Sequence, residues 1–248
     1  MSITRHGSVH ERPSDRKTSD LADGAAHPAE KHPGVQAGAA ERPALSRPAA
    51  SPDALAPARE VDAEHLATLH RRLAELADAE DLLDVAYRTV DSPLGRLLLA
   101  ATPVGLVRVA FEDEGEEAVL ATLGERISAR ILRDPRRLEP VARQLEEYFS
   151  GRRHDFDVAL DLRLTAGFRR EVLAHLREIP YGATASYTAL AAAAGRPTAV
   201  RAAASACATN PVPLVVPCHR VVRSDGSLGG YRGGLPAKRV LLDLERAA

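Results

Sequence analysis

The sequence predicts an α+β protein: a small α/β domain, then a mainly helical domain holding a helix-turn-helix, behind a disordered N-terminal tail. Three observations carry that prediction. Residues 1–58 are rich in Ala, Pro, Ser, Asp and Arg and show no sustained apolar period. Such a segment buries too little surface to offset chain entropy. From Asp84 the pattern shifts to short apolar runs broken at Ser92-Pro93 and Thr102-Pro103, the punctuation of strands and turns. From Thr165 onward apolar residues recur at helical spacing.

In chain order, residues 59–83 form an amphipathic helix and linker, with Leu66, Leu69, Leu73 and Leu76 as its apolar stripe. That helix either caps the following domain or binds a partner. Residues 84–161 form the α/β domain. Three strands lie within "VAYRTVDSPLGRLLLAATPVGLVRVAFED", followed by a helix near Gly115–Ala129. A second helix runs from Pro135 to Phe149, proline being well suited to a first turn. A closing strand is expected in "SGRRHDFDVALDL". No nucleophile, metal cluster or phosphate loop is evident in this domain.

Residues 162–248 begin with the helix of "LTAGFRREVLAHLREIP". "YGATASYTALAAAAG" gives a turn and a short helix ending at Gly195, a suitable C-cap. "RPTAVRAAASACATN" gives another, with Thr198 as N-cap. Two short helices across a Gly-Arg-Pro-Thr turn read as a helix-turn-helix. Pro211, Pro213 and Pro217 hold the next stretch extended, with "LVV" as a short buried strand. The terminal helix opens at Pro236 and buries Val240, Leu241 and Leu244.

Net charge is −1, but it is unevenly placed. Residues 162–248 hold 12 Lys/Arg against 5 Asp/Glu, net +7, leaving 21 against 29, net −8, in residues 1–161. A basic rear half suits a nucleic-acid partner; on charge alone, simple surface solubility is the more economical account. Cys207 and Cys218 are the only cysteines, too few for a disulfide framework or a four-cysteine zinc site. No apolar run reaches the roughly 18 residues of a membrane span, and the N-terminus lacks a secretory core. These features point to a reducing cytoplasm, and the excess of arginine over lysine, with Lys17, Lys31 and Lys238 the only lysines, points to a bacterial source.

Two stretches suggest chemistry. The second helix of the pair displays Ala202, Ala203, Ala204 and Ser205 around one cation, Arg201. Small side chains let a helix approach sugar-phosphate walls but read no bases, which suits minor-groove binding with little sequence preference. One long cation could hold the space of an extruded base. An ordinary buried alanine-rich helix fits as well. In "PCHRVV", Cys218 stands beside His219. A thiol is nucleophilic only as thiolate; a histidine can take its proton and a carboxylate can orient that histidine. Glu245 and Asp243 are the candidate carboxylates. Glycines at 229, 230, 233 and 234 make a loop able to wrap a planar ligand, with Tyr231 near its centre.

The run Pro217-Cys218-His219-Arg220-Val221 and both its flanks, about residues 165–245, closely resemble the O6-alkylguanine-DNA alkyltransferases. The resemblance implies a function: irreversible, stoichiometric transfer of the alkyl group of O6-alkylguanine, and of O4-alkylthymine, in double-stranded DNA. It implies no cofactor, no metal and a monomer. Cys218 would be the acceptor, His219 a base acting through water, Glu245 its orienter and Asn210 a brace for the Cys218 loop. Arg201 would replace the flipped base, and Tyr187 would rotate the 3′ phosphate and donate to the base. Ala202, Ala203 and Ser205 would face DNA. The backbone of Cys218 and Val221, with Gly229, Gly230, Tyr231 and Arg232, would line the guanine pocket.

Arg232 stands where some relatives have a small residue, leaving tolerance of bulky adducts open, and Val240 stands where an aromatic is frequent. Cys207 reads as inert core. No added cysteine-rich domain is present, so transcriptional activation is not expected. Rival readings are a non-catalytic lesion-binding protein and a thiol hydrolase using Cys218 and His219.

Overall fold

The computed structural model describes residues 62–247. The tail expected over residues 1–58 lies outside them. The first element, α1 (Ala63–Ala79), is capped by Asp62, whose carboxylate accepts from the Glu64 backbone N–H at 3.1 Å. The predicted leucine stripe is not what it buries. Leu66, Leu69, Leu73 and Leu76 are 39–58% exposed, whereas Ala74 and Ala77 are buried. The helix is pinned on its alanine side, where ion pairs Glu75–Arg136 (3.0 Å) and Asp78–Arg137 tie it to the domain.

Three antiparallel strands follow, β1 (Val85–Val90), β2 (Leu97–Ala101) and β3 (Leu106–Phe111). A fourth, β4 (Ile131–Arg133), not expected from the sequence, pairs parallel to β1, giving the order β3-β2-β1-β4. Side chains alternate between the two faces of a strand. Leu98 and Ala100 of β2 therefore meet Val119 and Leu123 of α2 (Glu116–Arg126) on one face. Leu97 and Leu99 point to the other, against Val141, Leu145 and Tyr148 of α3 (Glu139–Phe149). β2 is buried along its whole length because both faces are covered.

Helix α3 starts at Glu139, not at Pro135; Pro140 is the proline of its first turn. Asp134 explains the delay: its carboxylate accepts from the Arg136 N–H at 3.1 Å, holding a turn where the helix was expected. The closing strand shrinks to a single bridge, Leu106 to Leu160.

The rear half comprises α4 (Phe168–Leu176), β5 (Ala185–Ser186), α5 (Tyr187–Ala193), α6 (Val200–Ala208), β6 (Val221–Val222) and α7 (Gly234–Arg246). Helices α5 and α6 form the helix-turn-helix, α5 ending in a left-handed Gly195 at φ 73°. The residue preceding α6 is Ala199, without a side-chain cap, so Thr198 does not fill that role. "LVV" is buried but is not a strand. The turn bond from Val216 N–H to Val212 carbonyl and the left-handed Leu214, φ 73°, fold it back on itself. Pro211, Pro213 and Pro217 lack the donors a ladder needs. Along α7 the buried positions are Ala237, Lys238, Leu241, Leu242 and Glu245. Val240, expected inside, is 44% exposed.

Both halves share one core. Leu97, Val109 and Tyr148 pack in the same cluster as Val172, Val216 and Leu241. The Val109 N–H donates to the Pro211 carbonyl at 2.8 Å, fixing β3 to the segment that leads to Cys218.

Candidate active site

Cys218 opens a 3₁₀ turn, Cys218–Arg220, running directly into β6. Parallel pairing of β6 with β5 sets Val221 opposite Ala185 and brings the start of α5, with Tyr187, beside the turn. The thiol is 3% exposed. Asn210, itself 1% exposed, reaches it from the end of α6. Its amide nitrogen donates to Sγ at 3.2 Å and to the Val216 carbonyl at 2.8 Å, and its oxygen accepts from the Val212 N–H at 3.1 Å. One side chain thus holds both ends of the loop that presents the sulfur. Burial pushes the Cys218 thiol up to about 11; the Asn210 hydrogen bond and the Lys238 charge pull against that rise.

His219, on the same turn, is fully buried. Its Nε2 lies 2.8 Å from Glu245 Oε1. Glu245 is the hub of the site. Its carboxylate accepts from Arg220 Nε at 2.9 Å, Arg220 Nη2 at 2.9 Å, the Tyr148 hydroxyl at 2.7 Å and the Gly182 N–H at 3.1 Å. Burial alone would raise its pKa, but the donors from His219 and Arg220, helped by Tyr148, bring it down to about 2. The helix C-terminus disfavours an anion there; a bidentate guanidinium outweighs it. Arg220 is anchored in turn by donation to the Ile179 carbonyl at 2.6 Å.

This arrangement fixes a tautomer. An ionised Glu245 only accepts, so Nε2 carries the His219 proton and Nδ1 carries the lone pair. Burial lowers the His219 pKa against the opposing pull of Glu245, keeping the ring neutral. Nδ1 is buried and has no hydrogen-bond partner among the described residues. The site therefore holds a neutral base, aimed by a carboxylate, on the residue next to a buried thiol.

Around this centre lie the other residues singled out in the sequence. The Val221 carbonyl accepts from the buried Lys238 ammonium at 2.6 Å, and the Gly229 carbonyl accepts from it at 3.2 Å, so α7 staples the glycine loop to β6. Gly229 must be glycine: a Cβ there would sit 2.3 Å from the Tyr187 hydroxyl. Gly230 is exposed. Tyr231 sets its ring edge-on to His219, centroids 6.3 Å apart, and its hydroxyl is buried without a partner among the described residues. Arg232 pairs with Glu114 at 2.5 Å. Tyr187 is half-buried, its phenol pushed up to about 12 by burial, so it remains a donor.

On α6, Arg201, Ala202 and Ser205 are exposed on one face. Ala203 is fully buried and belongs to the core face, a correction to its expected place on the outer surface. A helix with 100° between successive residues cannot show 201, 202, 203 and 205 on one side.

Sequence reasoning missed Tyr148, Arg220 and Lys238 as parts of the site. Tyr148 comes from the other half of the chain, with no local signal. Arg220 was visible as a charge inside a buried apolar run, which calls for a counter-ion. Among the described residues no group of three or more His, Cys, Asp or Glu side chains comes together as a metal site requires.

Residues 85–162 match the 6-O-methylguanine DNA methyltransferase ribonuclease-like domain, and residues 167–247 match the DNA binding domain of the same family. Methylated-DNA–protein-cysteine methyltransferase of Mycolicibacterium paratuberculosis is 42% identical over 162 residues, 65% of this chain and 93% of that protein. Its counterpart in Methanosarcina barkeri is 40% identical over 159 residues, 64% of this chain and 96% of that one. The crystal structure of Mycobacterium tuberculosis OGT in complex with DNA matches with a TM-score of 0.58 at 39% identity, covering 65% of this chain and 93% of that chain. With both family domains matched in sequence order, the chain belongs to the 6-O-methylguanine DNA methyltransferase family, a DNA-binding methylated-DNA–protein-cysteine methyltransferase that repairs DNA by alkyl transfer.

Proposed function

We propose that Cys218 is the alkyl acceptor and that the substrate is O6-alkylguanine, with O4-alkylthymine as a second lesion, extruded from duplex DNA. The observation that carries this reading is the chain of contacts from Asn210 to the sulfur and from Glu245 to His219, with the imidazole lone pair left on Nδ1. Nothing else among the described residues combines a thiol with an oriented base.

In the transfer step the S–H proton passes by way of water to His219 Nδ1 as sulfur attacks the alkyl carbon. The S–C bond forms, the C–O6 bond breaks, and its electron pair stays on the guanine. Tyr187 donates toward the departing base and is reprotonated from water, while His219 returns its proton to water, so guanine leaves neutral and, net, the thiol proton is exchanged for one on guanine. Developing charge is met by fixed donors rather than by reorganising water. A thioether has no route back to a thiol, so each molecule reacts once and no cofactor is involved.

A base inside a duplex cannot bring its O6 substituent to a sulfur this deeply buried, so the nucleotide must leave the stack. Arg201, exposed on α6 among small residues, is suited to fill the gap, and Ala202 and Ser205 to lie along the minor groove. Cys218, Val221, Gly229, Gly230 and Tyr231 would enclose the base. Arg232, expected to line the pocket, is engaged by Glu114 at 2.5 Å, and tolerance of larger adducts would depend on that pair. The reading includes a monomeric protein acting in the cytoplasm; among the described residues no helix is long and apolar enough to cross a membrane.

The test is intact-mass and peptide analysis after mixing the full chain with duplex DNA carrying O6-methylguanine. One methyl group on the peptide containing Cys218 is expected. Loss of the lesion without that adduct, or binding without change in either partner, overturns the assignment.

A further inference from the structure

The exposed face of α6 is nearly uncharged. Of Arg201, Ala202, Ser205 and Ala208, only Arg201 is a cation. Duplex affinity comes largely from neutralising phosphates, so a helix of this kind needs cations from elsewhere in the fold. Residues 201, 205 and 209 follow one another at helical spacing, and Thr209 closes α6 as its C-cap. Thr209 also lines a cavity of about 330 Å³ whose other walls carry Arg108, Arg126, Arg169 and Arg232 against a single carboxylate, Glu114.

Glu114 is already committed. It pairs with Arg108 and with Arg232, the latter at 2.5 Å. Arg126 spends one nitrogen on the Leu164 carbonyl at 3.2 Å. Arg169 is exposed and makes no ion pair among the described residues. Four guanidiniums around one carboxylate leave an excess of three positive charges on the lining. A phosphodiester oxygen pair matches that demand, because planar guanidinium forks bind phosphate bidentately.

We propose that this cavity is a phosphate-binding extension of the DNA interface. Duplex lying along α6 continues past Thr209 and sets backbone phosphates on Arg126 and Arg169, so that the N-terminal half of the fold contributes to DNA affinity. The inference rests on the reading that the outer face of α6 lies on DNA. Neither arginine touches Cys218, His219 or Glu245, and binding is therefore separable from chemistry.

The experiment compares the full chain with the double variant Arg126→Ala/Arg169→Ala. Affinity for undamaged duplex is measured by fluorescence anisotropy across a salt series, and methyl transfer from free O6-methylguanine base is measured without DNA. The slope of log affinity against log salt should fall by about 1 to 2, at roughly 0.9 for each phosphate no longer neutralised. Transfer from the free base should be unchanged. The charge-keeping variant Arg126→Lys/Arg169→Lys should retain most of the slope, separating charge loss from misfolding. A wild-type slope in the alanine variant overturns the proposal, as does equal loss in the lysine variant. Failure of the functional reading shows itself differently: the wild-type chain would transfer methyl from neither free base nor duplex.

Discussion

Cys207 and Cys218 are both buried, at 5% and 3% exposure, and both thiols are pushed above their ordinary pKa by that burial. Acidity does not distinguish them usefully, since neither is a thiolate at neutral pH. What differs is the company each keeps. Cys207 lies on the core face of α6 beside Ala203 and Ala206, with no side-chain hydrogen bond to its sulfur among the described residues. Cys218 has the Asn210 amide on its sulfur and a neutral imidazole on the next residue. The contrast teaches that a reactive thiol need not be an acidic one: a sealed thiol with an internal base can release its proton when substrate arrives, and stays inert before then.

The largest expected effect breaks the pair apart. Cys218→Ala should take up no methyl group from lesion-bearing duplex, while Cys207→Ala should reach one methyl per chain at a rate within about twofold of wild type, costing only roughly 1 kcal/mol of stability for a small core truncation. Intact mass spectrometry reads the first outcome and a denaturant melt the second. Loss of uptake in Cys207→Ala would show that the two environments are not independent.

Next is the hub. Glu245→Gln leaves the Arg220 guanidinium buried without its counter-charge, a change that typically costs about 3 to 5 kcal/mol. It also replaces the anionic acceptor that fixes the His219 tautomer by an amide, with a weaker neutral acceptor and a competing donor, so transfer should slow by roughly 10² or more, the usual contribution of an oriented base. Rapid-quench kinetics and thermal unfolding check the two parts. A variant that unfolds more easily but transfers at the wild-type rate would reduce Glu245 to a purely structural role.

The pH dependence carries the same contrast. His219 is held below the ordinary histidine value of 6.5, chiefly by burial, so it stays neutral through pH 7 and protonates only at lower pH. Transfer should be level near neutrality and decline at some pH below 6.5, the direction of a base being lost. Stability moves the same way. Glu245 sits at about 2 in the fold against 4.5 for an unperturbed glutamate. Its contribution is fully present above 4.5 and is lost as pH falls toward 2, on the order of 3 kcal/mol at most. The His219 effect adds to it, because below 6.5 the unfolded chain takes a proton that the folded chain refuses. Cys207 has no such partner, so labelling of that thiol in the folded protein should follow opening of the core rather than this titration.

How much of this could be read from the sequence depended on how local the physics was. Asn210, Cys218 and His219 stand close together in the chain and carry their meaning in their order. Strands β1 to β3 announce themselves by apolar runs and turn residues. The failures are tertiary. Leu66, Leu69, Leu73 and Leu76 make a good amphipathic pattern, but periodicity does not say which face is covered, and here ion pairs at Glu75 and Asp78 seat the alanine side. "LVV" has strand composition, yet its flanking prolines and the left-handed Leu214 turn it into a coil. Ala203 looks like Ala202 in sequence and differs only by one step of helical rotation. Glu245 was legible as a carboxylate near a helix end, but not as an anion ringed by donors, since His219 and Arg220, Tyr148 and Gly182 reach it from separate segments.

The finest test of the contrast is Tyr148. Its hydroxyl crosses from α3 to donate to Glu245 at 2.7 Å, and it lies 3.5 Å from His219 Nε2. Burial keeps the phenol protonated, so it acts only as a donor. Tyr148→Phe keeps the ring that packs on Phe156, Phe149 and Tyr181 and removes the single oxygen. Glu245 retains its Arg220 and Gly182 donors, so the loss should be modest, about 1 kcal/mol of stability, the net worth of one hydrogen bond. With one donor fewer, the carboxylate pulls harder on the His219 proton, and the imidazole becomes easier to protonate. The acid limb of the transfer profile should therefore move upward in pH while the plateau rate falls only a few-fold. A simple packing defect would lower the plateau and leave the limb where it was. An unmoved limb would mean that the α3 hydroxyl holds the two halves together without tuning the base beside Cys218.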